Sequence, residues 1–278
     1  MKDKYAVIGN PINHSKSPLI HKMFAQQTGQ DISYEAILSP LDGFAVTVER
    51  LRWKGYKGCN VTVPFKFEAF LLATNRSERA EASRVVNTLE FNGDEIFGDN
   101  TDGVGLVTDL KGNLNLKFSD KQVLLVGAGG AALGVLSPLL METPRCLVIS
   151  NRTMTKAEEA VKIFHYRVGK HPSNSTEFVA KSFSELTGEN FDLVINATSA
   201  GLTDSALSLP TTLFAPGALA YDMMYGRETP FMKFAREHGA QVADGLGMLV
   251  EQAAESFNIW RGVRPDTAPV IEAMRKRP

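Results

Sequence analysis

Short apolar runs alternate along the chain with stretches whose apolar residues recur at helical spacing. This alternation predicts an α/β fold with mostly parallel strands. The pattern gives strands at Tyr5–Ile8, Ile32–Ile37 and Gly58–Val63, with helices at Ser17–Gln27, Val46–Trp53 and Phe67–Leu72. Val86–Phe91 and Glu95–Phe97 flank Asn92-Gly93-Asp94 and read as a hairpin on the Asn-Gly signal. The polar stretch from Thr108 to Phe118 marks the end of this first series. A second series follows, with strand Val123–Val126, helix Ala131–Leu140, strand Cys146–Ser150 and helix Thr155–Phe164. Thr176–Val179, Leu193–Ala197 and Ala218–Asp222 supply further strands, and the helical stretches Leu249–Phe257 and Ala268–Arg275 come last. No internal repeat is present.

Composition narrows the class without naming it. The 278 residues allow two domains, and 44% hydrophobic with 22% charged residues is an ordinary soluble balance. A formal net charge of -1 and the lack of a basic tract argue against a nucleic-acid partner. Cys59 and Cys146 are too few for a disulfide framework, which points to a reducing compartment. The apolar run in MKDKYAVIGNP is too short for a secretory signal, which needs roughly 7–15 such residues. Val123 to Met141 carries no charge, but Gly127, Gly129, Gly130, Gly134 and Pro138 interrupt it. It reads as strand, turn and helix, so no membrane span is expected.

Two motifs in the second series carry nucleotide chemistry. In KQVLLVGAGGAALG, Gly127, Gly129 and Ala132 fit the G-x-G-x-x-G/A template between a buried strand and a helix. The first glycine permits the tight turn, and the second admits a pyrophosphate close to the backbone. The helix N-terminus then offers unpaired N–H groups to the anion. An enzyme using NAD places an acid about 20 residues further on, against the ribose 2′-hydroxyl. Here that strand ends in Asn151, Arg152 and Thr153, with Lys156 one turn later and no carboxylate. A guanidinium suits a 2′-phosphate, so the expected cofactor is NADP.

The first series offers several polar stretches. NHSKSP places Ser17 before Pro18, a serine N-cap with proline at the first helical position, and Ser15 adds a second hydroxyl able to cradle a carboxylate. NTDG puts Asp102 at a helix start, where it serves chemistry or simply a turn. VVNT puts Asn87 at the start of a strand, where its amide either binds a hydroxyl or satisfies backbone. In NVTVPFKFEAF, Pro64 stops the strand and Lys66 stands between Phe65 and Phe67. A lysine there either snorkels into solvent or faces a reacting group.

HSKSP, NVTVPFK, VVNT, GDNTDG, GAGGAA, NRT, NATSAG, DMMY and DGLGMLVEQAA occur in the order and approximate spacing of the shikimate dehydrogenases. The chain resembles that family over essentially its whole length. The resemblance implies an N-terminal α/β substrate domain at residues 1–103 and a Rossmann-like NADP-binding domain at 104–246, with a cleft between them. It further implies that helices over 247–278 pack back on the first domain. The implied reaction is NADPH-dependent reduction of 3-dehydroshikimate to shikimate on the route to chorismate and the aromatic amino acids, by a cytoplasmic monomer or homodimer with no metal.

Carried over motif by motif, Ser15 and Ser17 resemble the carboxylate-binding pair. Asn60, Thr62, Asn87, Asp102, Tyr225 and Gln252 resemble contacts to ring hydroxyls or to Lys66. Gly127, Ala128, Gly129, Gly130 and Ala131 resemble the pyrophosphate loop, and Asn151, Arg152, Thr153 and Lys156 the 2′-phosphate site. Ala197, Thr198, Ser199, Met223 and Gly245 resemble neighbours of the ribose and nicotinamide, and Glu78 an acidic contact near the cofactor. The chain departs from the family pattern at Arg84-Val85, at Leu106 and at Gly226-Arg227-Glu228.

Ketone reduction needs a hydride and a proton for the developing alkoxide. Lys66 and Asp102 are the one acid–base pair at chain turns within these motifs, so Lys66 is expected to move the proton and Asp102 to partner it. Two other readings stand beside this one: a quinate/shikimate dehydrogenase of broader substrate use, and a non-catalytic NADP(H)-sensing protein. The second expects loss of Lys66 or Asp102, and both are here.

Overall fold

A computed structural model describes residues 2–168, 176–198 and 206–276. The chain divides into two compact units, one of residues 1–106 with 249–277 and one of residues 107–248.

In unit 1, strands β1 (Asp3–Gly9), β2 (Ile32–Leu38) and β3 (Tyr56–Val61) alternate with helices α1 (Ser17–Thr28) and α2 (Phe44–Trp53). Helix α3 (Lys66–Leu72), strand β4 (Asn75–Arg76) and helix α4 (Glu78–Ser83) follow. Then come the hairpin β5 (Thr88–Asn92) and β6 (Glu95–Asp99) and helix α5 (Asp102–Thr108). The sheet order is β2-β1-β3-β5-β6-β4. β1 pairs with β2 and β3 in parallel, whereas β5 pairs antiparallel with β3 and with β6. The hairpin forms where the Asn-Gly signal places it, with Asn92 opposite Glu95 and Gly93 at φ 61. Ile8, Phe44, Phe65, Phe70 and Leu89 anchor its core.

Unit 2 opens with β7 (Gln122–Val126), α6 (Gly130–Met141), β8 (Cys146–Ser150) and α7 (Met154–Val168). Strands β9 (Glu177–Ala180), β10 (Phe191–Asn196) and β11 (Phe214–Asp222), helix α8 (Pro230–Glu237) and β12 (Gln241–Asp244) complete it. Its sheet is parallel throughout, in the order β12-β11-β10-β7-β8-β9. Counted from β9, the strands run third, second, first, fourth, fifth, sixth in this unit. That is the doubly wound order, whose switch point lies between β7 and β10. Val123 to Val126 and the whole of β8 are buried, as strands covered on both faces must be.

Helix α9 (Leu246–Arg261) runs from unit 2 into unit 1, and α10 (Ala268–Arg275) belongs to unit 1. Trp260 donates to the Leu89 carbonyl (3.1 Å) and stacks on Tyr5 at 4.6 Å. Both points of division, Leu106/Val107 and Met248/Leu249, fall inside helices. The polar stretch after Thr108 is no open linker. Asp109–Asn113 continues as a π-helical turn, and Asp109, Leu110 and Phe118 are buried. Sequence patterning also passed over α4, α8, β4 and β12, each short or without strong alternation.

Candidate active site

β3 and β6 finish at the sheet end where β5 begins, and the register aligns Asn60 with Thr88 and Thr88 with Asp99. Side chains from all three strands therefore meet there. Beyond β3 the chain turns at Thr62, whose carbonyl accepts from the Phe65 amide (3.0 Å). Phe65 is fully buried, stacked on Phe44 at 5.1 Å, and caps α3. Burying that ring fixes where the helix starts, and Lys66 is its first residue. The Lys66 ammonium pairs with the Asp102 carboxylate, the side chains being 14% and 8% exposed.

The turn that carries Asp102 is held by side chains at every step. The amide of Asn100 donates to Asp99 Oδ1 (2.6 Å), that of Thr101 to Asn87 Oδ1 (2.9 Å) and that of Asp102 to Asn100 Oδ1 (3.1 Å). Asn87 Nδ2 donates to Asp102 Oδ1 (2.8 Å), leaving Oδ2 for Lys66. Asn87 stands just before β5, and its amide also meets Thr101 Oγ1 and Gln252 Oε1. Asn60 is likewise engaged. Its Oδ1 accepts from Tyr34 (2.7 Å), and its Nδ2 donates to Thr88, to Ser256 and to the Asn87 carbonyl.

At α1 the sequence reading needs correction. Lys16, not Ser17, is the N-cap; Ser17 is the first helical residue and Pro18 the second. The Ser17 amide reaches back to Ser15 Oγ (3.3 Å), so the Ser15 hydroxyl satisfies one free amide of the first turn while Ser17 is buried. Four residues on, His21 is wholly buried, stacked on Tyr34 at 4.1 Å and near Trp260 at 5.5 Å. Desolvation lowers its pKa to about 3, against a weaker pull from Asn60, and neither ring nitrogen makes a well-formed hydrogen bond. Burial also holds the Tyr34 phenol well above its ordinary range, offset in part by a hydrogen bond with Ser17. His21, Tyr34, Thr88, Thr101 and Ser256 belong to this cluster, though no sequence reading singled them out. Thr88 and Thr101 lay in plain view inside VVNT and NTDG, while His21, Tyr34 and Ser256 sit on distant elements that only tertiary packing unites.

In unit 2, Gly127 ends β7 at the switch point with φ +119, in a conformation favouring glycine. Gly129 is different. It caps α6 in ordinary extended backbone, and a Cβ there would meet nothing within 4 Å. The fold itself gives no reason for glycine at 129, whereas a pyrophosphate approaching the α6 N-terminus does. Arg152, Thr153 and Lys156 are exposed at the end of β8 and start of α7, and Asn151 Nδ2 donates to the Thr153 carbonyl (2.9 Å). These residues fit a dinucleotide with a 2′-phosphate.

Asn196 ties two further motifs together, donating to Asp222 (3.1 Å) and accepting from the Thr198 amide (3.1 Å) and hydroxyl. Burial raises the Asp222 carboxyl despite hydrogen bonds from Thr229, the Met224 amide and Asn196. Ala197, Met223 and Gly245 thus line up past the ends of β10, β11 and β12. Burial likewise raises the Tyr225 phenol. Tyr225 belongs to unit 2 and the other substrate candidates to unit 1. Glu78, exposed in the first turn of α4, belongs to unit 1 and the other cofactor candidates to unit 2. Ser199 lies outside the described residues. Among the described residues there is no cluster of His, Cys, Asp and Glu able to hold a metal, and no helix long and apolar enough to cross a membrane.

Three family descriptions match the chain: the shikimate dehydrogenase substrate binding domain at residues 7–89, shikimate/quinate 5-dehydrogenase at 110–203, and the shikimate 5'-dehydrogenase C-terminal domain at 245–275. The NADP(+) shikimate dehydrogenase of Methylobacillus flagellatus is 59% identical over 98% of this chain and 99% of its own. The chain belongs to the shikimate dehydrogenase family. Another member, from Nitrosospira multiformis, is 55% identical over 99% of this chain and 98% of its own. Among solved structures, shikimate 5-dehydrogenase from Thermus thermophilus, in complex with NADP(H) and shikimate, shares 30% identity at TM-score 0.86 over 99% of each chain. An Ael1 enzyme from Pseudomonas putida shares 48% identity at TM-score 0.89, over 98% of each chain.

Proposed function

We propose that the chain catalyses the reversible NADP-dependent interconversion of 3-dehydroshikimate and shikimate, as its relatives are named for, and that Lys66 and Asp102 carry the proton chemistry. The observation behind this assignment is the largely buried Lys66–Asp102 pair, with Asp102 aimed by Asn87. Bound NADPH would supply the hydride for reduction, and bound oxidised NADP would accept it on oxidation. Lys66 Nζ gives a proton to the developing alkoxide on reduction and removes it from the hydroxyl on oxidation, while its positive charge stabilises the oxygen anion. Asp102 Oδ2 orients that ammonium.

Ser15 and Ser17 take the substrate carboxylate, and Thr62 and Gln252 take ring hydroxyls. Asn60 and Asn87 act one step back, because their amides already serve Tyr34, Thr88 and Ser256 on one side and Thr101, Asp102 and Gln252 on the other. Family likeness assigns Tyr225 to substrate and Glu78, Ala197, Thr198, Met223 and Gly245 to cofactor. Residues 127–131 receive the pyrophosphate, and Asn151, Arg152, Thr153 and Lys156 the 2′-phosphate. The free thiols of Cys59 and Cys146 support a cytoplasmic setting.

Supplying shikimate or quinate with NADP or NAD, and following reduced nicotinamide by absorbance, tests this reading. Turnover of shikimate with NADP preferred over NAD is expected. Comparable turnover of quinate would widen the substrate to both acids. No turnover of either, with NADP still bound, would replace the enzyme by an NADP(H) sensor.

A further inference from the structure

Asp99 is a buried carboxylate that the proposed chemistry does not use. Arg79, from α4, grips it with two parallel hydrogen bonds, Nε to Oδ1 and Nη2 to Oδ2, both 2.7 Å. Ser77 Oγ donates to the same Oδ1, and that oxygen also takes the Asn100 amide. Asn100 in turn sends Nδ2 to Ser83 Oγ (3.0 Å), and Ser83 Oγ donates to the Arg79 carbonyl (2.8 Å). Asn100 Oδ1 holds the Asp102 amide. Both the main chain and the side chain of Arg79 therefore end on the turn that presents Asp102.

The grip is itself anchored. Arg79 Nη2 also donates to Glu255 Oε1 (3.0 Å) on α9, and Arg264 joins Glu255 to Glu251. Five charges thus alternate in sign from Asp99 through Arg79, Glu255 and Arg264 to Glu251. A planar guanidinium engaged at both edges restrains its partner in position and angle, which a lysine cannot do.

We infer that Arg79 is a positioning residue of the reaction, acting through Asp99 and Asn100 to hold Asp102 against Lys66. The inference rests on the assignment of Lys66 and Asp102 above. Small displacements of a reacting pair cost large factors in rate, whereas substrate affinity depends on other groups.

Arg79→Lys keeps the charge and loses the two-pronged grip; Asp99→Asn keeps an acceptor for the Asn100 amide and removes the charge pair. Each should lower kcat on shikimate roughly tenfold with KM for NADP unchanged. Adding Arg79→Lys to Asp102→Asn should cost nothing further, because the residue acts through the group already lost. Amide hydrogen exchange at residues 100–102 should rise about tenfold in Arg79→Lys and stay unchanged in unit 2. A kcat within twofold of wild type in both single variants, an equal further loss in the Asp102→Asn background, or unchanged exchange at 100–102 would overturn the inference. The exchange result needs no substrate. A wild-type protein inactive on shikimate would therefore sink the proposed reaction, while the clamp is decided separately.

Discussion

Replacing His21 with phenylalanine should make unit 1 more tolerant of acid. The native ring is neutral, because burial lowers its pKa from 6.5 to about 3. Once unfolded, the same residue regains its ordinary value and binds a proton below it, while the native state does not until about pH 3. Native stability is therefore unaffected by this group above about pH 6.5, falls as pH drops below that, and stops falling near pH 3. The full span is worth about 5 kcal/mol and the portion reached at pH 5 about 2 kcal/mol, at 1.36 kcal/mol per pH unit. Phenylalanine keeps the stack on Tyr34 at 4.1 Å and sacrifices no hydrogen bond, since neither ring nitrogen makes a well-formed one. Urea unfolding followed by the fluorescence of Trp260, whose ring lies 5.5 Å from His21, reads the transition directly. Carboxylates titrate equally in both proteins, so the stability difference at pH 5, less that at pH 7.5, isolates His21. A difference that does not change between those two pH values would refute the reasoning.

Lys66→Ala should lower kcat by roughly 10²–10⁴ while moving the shikimate KM far less; an unchanged kcat with a raised KM would make Lys66 a binding residue only. Arg152→Ala should raise the KM for NADP by roughly 10–100-fold, the worth of hydrogen bonds to a charged phosphate, and leave the KM for NAD in place. Gly129→Ala should leave Tm within a degree or so, as its Cβ meets nothing within 4 Å, yet weaken NADP binding in a titration. Gly245→Ala should instead cost about 1–3 kcal/mol in thermal unfolding, because its Cβ would fall 2.3 Å from the Met223 carbonyl oxygen.

Much of this protein is local in origin and so was readable in one dimension. Strand β8 and helix α10 end where the apolar pattern ends, and Asn92-Gly93 fixes the hairpin because a tight turn needs those residues whatever surrounds it. The loop after β7 and the missing acid after β8 likewise declare a phosphorylated dinucleotide through chemistry confined to a few residues. Lys66 and Asp102 could be named from their motifs. So could their partnership, but not what holds it, which depends on Phe65 being buried and on Asn87 reaching across from just before β5. Ser17 was misread as a cap because a cap is defined by backbone angles, and Lys16 took the place. The units divide inside α5 and α9, within continuous helices and not in open linkers. In sequence His21 looks like an ordinary helical residue, and Arg79 lies in a stretch without a clear pattern. Only packing sealed one ring away from water and brought the other side chain onto Asp99, since burial and long-range hydrogen bonds are properties of neighbours distant along the chain.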